Sequence, residues 1–225
     1  MLAEDMHNWT PRPRPARTLL DGRYVTIAPF DAPAHQSGLF QASAVSDADQ
    51  RFTWLSETPT ADQSAFAQWF DMAAASEDPL FFVVIDKATQ QVAGRQTLMR
   101  MDPANGVVEI GNIYWGPLIA RRPAATEALY LFARHIFDDL GYRRFEWKCN
   151  DDNGPSKRAA LRFGFQYEGL FRQHLIVKGL NRDTAWFAMI DKDWPALRTA
   201  YQAWLDPSNF DETGSQRRRL EDFRP

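Results

Sequence analysis

The sequence predicts an α+β fold with one mixed, mostly antiparallel twisted sheet flanked by helices. Three observations carry that expectation. Strand-like runs meet across Asp102-Pro-Ala-Asn-Gly106, where Asn-Gly accepts the positive φ of a hairpin turn, so Val107 to Trp115 folds back antiparallel. A helical pattern then lies between Val107–Trp115 and Arg144–Asn150, and a right-handed crossover of that kind makes the two strands parallel. Two last strand patterns, about Tyr167–Val177 and Thr184–Asp191, flank the turn Lys178-Gly-Leu-Asn181 and close an antiparallel hairpin.

Each element has a local reason. Asp21-Gly22 turns the chain into the strand-like Tyr24–Ile27. Ala34–Val45 and Asp62–Ala75 have helical spacing, the second placing Phe66, Trp69, Phe70 and Ala73 on one face with Thr60 or Asp62 as its cap. Phe81–Ile85 is a short buried strand, and Gln91–Met101 is another. Apolar Ala125, Leu129, Phe132, Ile136 and Leu140 recur at helical spacing, and Gly141 ends that helix as a left-handed cap would. Arg144–Asn150 alternates, with Phe145, Trp147 and Cys149 on one face and Arg144, Glu146, Lys148 and Asn150 on the other. Ser156 is expected to cap a short helix packed through Ala159, Ala160 and Phe163 and stopped by Gly164. Trp194–Leu205 reads as a closing helix.

At 225 residues with 44% hydrophobic content, the chain buries a sizeable core, and one domain is expected. The reading divides it into an extended arm over 1–17, rich in proline, a domain over 18–205 and a polar, frayed tail over 206–225. A net charge of −3 gives no global pull toward nucleic acid or anionic membrane, so neither is expected as a partner. The first sixteen residues are polar and proline-rich rather than basic then apolar, and no apolar run approaches the roughly 20 residues of a membrane helix. With the lone Cys149, these features lead to a cytoplasmic expectation. His7, His35 and His135 are scattered, so no metal site is expected.

Three local patterns carry chemistry. The strand ending in Trp115-Gly-Pro117 runs through Ala120-Arg-Arg-Pro123-Ala-Ala125-Thr126 into a helix. Asn153 and Ser156 stand eight to eleven residues before Gly164-Phe165. Glu168-Gly-Leu-Phe-Arg172 is followed by Lys178-Gly-Leu-Asn-Arg-Asp183. Together, over roughly Gly22 to Asp191, these patterns resemble the GNAT superfamily of acyl-CoA-dependent N-acetyltransferases, in particular the ribosomal-protein N-terminal acetyltransferase branch.

The resemblance implies the GNAT fold, in which the parallel strand pair is splayed and the pantetheine arm of acetyl-CoA, the co-substrate, inserts between the strands. It implies a transferase that moves an acetyl group to a primary amine by direct attack in a ternary complex, without a metal. The acceptor would be a small molecule, an aminoacyl compound or a peptide N-terminus. A helix N-terminus presents unpaired N–H groups and partial positive charge, so it can hold a diphosphate. Pro123 suits the first helical position because its missing N–H would be an orphan there. Arg121, Arg122, Ala124, Ala125 and Thr126 are then the expected donors, with the two arginines adding charge near a phosphate. The plain alternative is a proline-started helix with two solvated arginines.

A backbone N–H near Ile113 or Tyr114, beside Trp115, is implied as the group that polarises the thioester carbonyl. Asn153 is implied at the pantetheine amides and Ser156 near the sulfur, as acid for the departing thiolate; Ser156 as a simple cap remains the alternative. Many GNAT enzymes have a tyrosine acid where this chain has Ala160, and relatives of the branch have a glutamate where it has Leu175. Glu109, acting through water, and His174, because an imidazole titrates near neutrality, are the candidate bases. The plain alternatives are a Glu109 that faces solvent and a His174 that only sits on an edge strand. The missing tyrosine, glutamate and glycine keep open a non-catalytic acyl-CoA-binding or regulatory module, and homodimer formation stays open.

Overall fold

The computed structural model describes residues 5–224; Met1–Glu4 of the arm and Pro225 of the tail lie outside the described residues. Fourteen elements follow in order: β1 Leu20–Asp21, β2 Val25–Pro29, α1 Ala32–Ser43, α2 Ala48–Arg51, α3 Gln63–Ala75, β3 Leu80–Asp86, β4 Gln91–Asp102, β5 Val107–Trp115, α4 Pro123–Arg134, β6 Arg144–Asn150, α5 Gly154–Phe163, β7 Gln166–Val177, β8 Leu180–Ile190 and α6 Trp194–Trp204. The strands form one sheet ordered β1-β2-β3-β4-β5-β6-β8-β7. All neighbours are antiparallel except β5 and β6, which pair parallel. The mixed sheet and its parallel pair agree with the α+β expectation.

Each face of the sheet carries its own core. On one, Val108, Ile110, Phe145, Phe187 and Met189 pack with Ala128, Leu129 and Phe132 of α4, Ala160 and Phe163 of α5, and Tyr201 of α6. On the other, Phe30, Leu39, Phe66, Phe70 and Val83 join β2 and β3 to α1 and α3, with Phe30 and Phe70 stacked at 4.3 Å. Asp62 caps α3, its Oδ1 accepting from the Ser64 and Ala65 N–H groups. Gly106 takes φ +62° in the β4–β5 turn, which is the positive φ expected of Asn-Gly.

Glu127 ties α4 to the start of the sheet. Its carboxylate, buried among apolar neighbours, accepts from the N–H groups of Arg23 at 2.8 Å, Tyr24 at 2.5 Å and Val25 at 2.9 Å. Gly22 is required beside it, since a Cβ there would come within 2.5 Å of Glu127 Oε2.

One expectation about the ends changes, that of the tail. The arm lies along its own domain from Asp5 onward: Trp9 Nε1 donates to the Ala104 carbonyl at 2.7 Å, and Arg12 N–H to the Pro103 carbonyl at 2.9 Å. The tail is folded rather than frayed. Its short turns Pro207–Asn209 and Leu220–Phe223 pack back on the domain, and Leu220 is fully buried. Asn209 organises it by donating to the Trp204 and Arg218 carbonyls and accepting from the Arg218 N–H. A polar composition conceals this, because a few buried side chains and main-chain bonds suffice to order a short segment.

Candidate functional site

β5 and β6 pair only from Val107↔Arg144 to Ile110↔Trp147. Beyond that point each runs on alone, β5 through Gly111–Trp115 and β6 through Lys148–Asn150, so their facing edges part into a wedge. The cause is a bulge: the β4–β5 register shifts between Arg95 and Thr97, and Asn112 adopts φ +48°. A bulge bends its strand and sharpens the local twist. Buried Arg95 holds the bulge in place, donating from Nη1 to the Asn112 carbonyl at 2.7 Å and pairing with Glu57. Burial presses its guanidinium pKa downward, and the neighbouring Tyr114 opposes that pressure.

Backbone alternation fixes which N–H groups face the wedge. Gly116 donates to the Ala93 carbonyl of β4. Successive N–H groups of a strand point to opposite edges, so Tyr114 also faces β4, while those of Ile113 and Trp115 face the wedge. Of the two N–H groups expected beside the thioester, those of Ile113 and Tyr114, only the Ile113 group faces the wedge. Tyr114 serves the wall instead, its hydroxyl donating to the Ala42 carbonyl at 2.6 Å.

At the mouth of the wedge, α4 begins with Arg122 as N-cap and Pro123 as first helical residue, without a side-chain cap. Arg121 takes φ +62°, the left-handed turn that glycine usually supplies. Five donors were expected here, and the structure frees fewer. Arg122 N–H donates to the Ile119 carbonyl and Ala125 N–H to the Arg122 carbonyl, and Thr126, fourth in the helix, has its N–H inside the first helical turn. Arg121 and Ala124 keep N–H groups for a ligand. Thr126 contributes its hydroxyl, which accepts from Arg162 Nη1 of α5 at 3.1 Å. Arg121 and Arg122 are exposed, whereas Ala124 and Ala125 are buried.

The cap of α5 is Asn153, not Ser156. Asn153 Oδ1 accepts from the Ser156 N–H at 3.1 Å, and Ser156 sits in the first turn. Both residue types cap helices, and the choice follows from where the chain leaves β6. The Ser156 Oγ instead accepts from Trp147 Nε1 at 3.0 Å and lies against the Cys149 thiol, whose pKa burial pushes up. A cleft of about 820 Å³ joins these parts, lined by Ile113, Tyr114, Trp147 and Ser156 together with Arg121, Arg122, Pro123, Ala125 and Thr126.

The opposite face of the sheet has its own groups. Glu109 does not face solvent: it is buried, accepting from Arg100 Nη1 at 2.7 Å and paired with Lys148 Nζ at 2.8 Å. Lys148 also pairs with Glu146 at 2.7 Å and lies 3.7 Å from the Trp186 ring centroid. His174 stands on edge strand β7, with Nδ1 3.0 Å from Thr184 Oγ1. Thr184 is registered with Asn150, at the open end of the wedge. A second cavity of about 460 Å³, lined by Ser56, Glu57, Trp69, Phe81 and Asn112, reaches the bulge from this face. Among the described residues no group of three or more His, Cys, Asp or Glu could hold a metal ion, and no helix is long and apolar enough to cross a membrane.

Residues 25–166, more than half of the chain, match the family described as the acetyltransferase (GNAT) domain. The chain belongs to the GNAT family. It is 63% identical to a GCN5-related N-acetyltransferase from Brucella melitensis, with a TM-score of 0.95 over 96% of this chain and 98% of that one. An uncharacterized N-acetyltransferase p20 from Bacillus licheniformis is 30% identical over 117 residues, half of this chain; the GNAT chain spans 63% of that relative's length. The fold is shared at 20% identity with the microcin C7 self-immunity acetyltransferase MccE, solved with acetyl-CoA and AMP, at a TM-score of 0.66 over 75% of this chain and 93% of that one.

Sequence reasoning missed three contributors to this GNAT site. Arg95 looks like a solvated strand arginine, and only its pairing with Glu57, distant in sequence, shows it buried. Arg162 sits one residue from a core phenylalanine and carries no motif. The composition of the tail marks it as polar surface, yet Phe210, Gly214, Ser215 and Gln216 line the same cleft as the start of α4.

Proposed function

We propose that this acetyltransferase moves an acetyl group from acetyl-CoA to a neutral primary amine by direct attack in a ternary complex. One observation carries the reading: a wedge between β5 and β6 and the start of α4 lie in a single continuous cleft. The Arg121 and Ala124 N–H groups, the α4 dipole and the side chains of Arg121 and Arg122 would hold the diphosphate. Pantetheine would pair with the free edges of β5 and β6 as an added strand does.

The amine nitrogen attacks the thioester carbonyl carbon, and its oxygen gathers charge toward the Ile113 N–H. The C–S bond breaks, and the thiolate takes a proton from water, directly or relayed through the Ser156 hydroxyl, which regains its own proton from solvent in the same step. Trp147 Nε1 occupies a lone pair of Ser156 Oγ, so the O–H, which lies against the Cys149 sulfur, is the part of the hydroxyl that can turn to a departing thiolate. The proton lost by the amine passes to a base on the opposite face. His174 suits this role better than Glu109, whose carboxylate is engaged by Arg100 and Lys148. An α-amine, with a pKa of about 7.7–8.0, needs little help to be neutral, so an aminoacyl compound or peptide N-terminus fits this sparse machinery better than lysine.

A non-catalytic acyl-CoA binder is the second reading, favoured by buried Ala160 in place of a tyrosine acid. Thiol release from acetyl-CoA with a panel of primary amines decides between them. Amine-dependent release supports the transferase; tight acetyl-CoA binding with no release for any amine supports the binder.

A further inference from the structure

We propose that Arg182 selects the acceptor: an amine that carries a carboxylate or phosphate group a few bonds away, its anion held by the Arg182 guanidinium on the face of the sheet opposite α4 and α5. The proposal rests on the acetyl-transfer reading above and names the acceptor class which that reading leaves open.

Strand alternation sets the place. Ala185, Phe187 and Met189 of β8 point into the core shared with α4 and α5, so Arg182, Thr184 and Trp186 stand in one file on the other face. The pairing of β7 with β8 shifts between Phe171 and Leu175, and inside this bulge Gln173 takes φ +50° and its N–H donates to Asp183 Oδ1 at 2.7 Å. The bulge carries His174 onto the same face, with Nδ1 3.0 Å from Thr184 Oγ1 and its ring centroid 6.1 Å from that of Trp186. Arg182 is the next residue of the file, about 6.6 Å along the strand from Thr184. An amine that gives its proton to His174 therefore brings an anion a few bonds away within reach of Arg182.

Charge picks this arginine out of four cations on the face. Arg100 pairs with Glu109, Lys148 with Glu109 and Glu146, and Arg144 with Glu146 and Glu168. Three carboxylates answer three cations, and Arg182 is left over. It is half-buried, and among the described residues no carboxylate pairs with it and its Nε is closed to solvent without an acceptor. Burial lowers its pKa, the Glu109 carboxylate works against that shift, and Arg100 adds to it. The Cys149 thiol is no counter-ion, because burial raises its pKa and keeps it protonated. A cation held partly away from water is costly without an opposite charge, and the planar fork of a guanidinium meets a carboxylate or phosphate with two bonds at once.

Thiol release from acetyl-CoA by the full chain tests this with acceptors paired so that each pair shares one amine and differs in the anion. Leucylglycine is compared with its amide, and phosphoethanolamine with ethanolamine. The expected result is a kcat/KM higher by about 10- to 150-fold for the anionic member of at least one pair, the worth of a charge-assisted contact; the pair that shows it tells carboxylate from phosphate. Arg182→Gln should abolish that ratio, chiefly through the KM of the anionic acceptor, and Arg182→Lys, which keeps the charge but not the fork, should fall between. The ratio in the unaltered protein needs no variant, so the test stands if Arg182→Gln folds poorly. A ratio near one in both pairs, or a ratio that survives Arg182→Gln while both members lose activity equally, would overturn the proposal. Release with other primary amines but with none of these four would also overturn it and leave the acetyl-transfer reading intact, whereas no release with any amine would overturn both.

Discussion

Arg122→Asp separates helix chemistry from cofactor chemistry because the two respond with opposite signs. Arg122 is the N-cap of α4, with φ −109° and ψ 164° and no side-chain cap bond; this extended geometry is the one aspartate caps best. A capping aspartate adds about 0.5–2 kcal/mol of stability, and its charge complements the helix dipole. Against a bound diphosphate the same change is adverse. At about 6 Å in a water-like dielectric each charge pair is worth about 0.7 kcal/mol. Reversing one charge against two negative phosphates alters four such pairs, about 2.8 kcal/mol, and physiological salt reduces this to roughly half. Acetyl-CoA should therefore bind about 10- to 100-fold more weakly to a protein that unfolds at higher denaturant. Calorimetric titration and urea unfolding on the same preparation measure both. Unchanged acetyl-CoA affinity in a folded, stabilised variant would refute the α4 cradle.

Ser156→Ala should lower turnover by about 10²-fold or more while acetyl-CoA affinity changes little, if the hydroxyl protonates the thiolate; it should also cost about 1–3 kcal/mol through the orphaned Trp147 indole. Equal losses in turnover and affinity, or a stability loss alone, would make the residue structural. Glu127→Ala should destabilise by about 3–5 kcal/mol in chemical denaturation, because three N–H groups of the β1–β2 turn lose their acceptor. Glu127→Gln should recover part of that, and a neutral result for alanine would contradict the role of the carboxylate. The Arg144 guanidinium holds the Glu168 carboxyl below its usual range. A lowered folded-state pKa gives stability that is present above about pH 4.3, the unfolded value, and is lost as pH falls through the folded one. Arg144→Met should therefore flatten the acid limb of the stability profile, and an unaltered limb would count against the pair.

The elements legible in the sequence were those whose cause is local. Asn105-Gly106 announces the β4–β5 hairpin, the alternation of Arg144–Asn150 sorts its two faces, and Pro123 marks where α4 starts. Features decided by distant partners were not legible. Asn112 and Arg121 take positive φ without being glycine, and nothing in their neighbours' identity signals it. The bulge depends on Arg95 reaching the Asn112 carbonyl. Asn153 and Ser156 compete for one cap, and only the path out of β6 decides. The same limit applies to the donors at α4, of which the turn Ile119–Ala125 consumes two. Glu109 reads as exposed until Lys148 and Arg100 are seen to converge on it.

A crystal structure with acetyl-CoA bound measures the account at its centre. Pantetheine should lie between Gly111–Trp115 and Lys148–Asn150, the thioester oxygen within hydrogen-bond reach of the Ile113 N–H and the diphosphate at Arg121 and Ala124. A cofactor seated elsewhere, or those two strand ends hydrogen-bonded to each other in its presence, would contradict it.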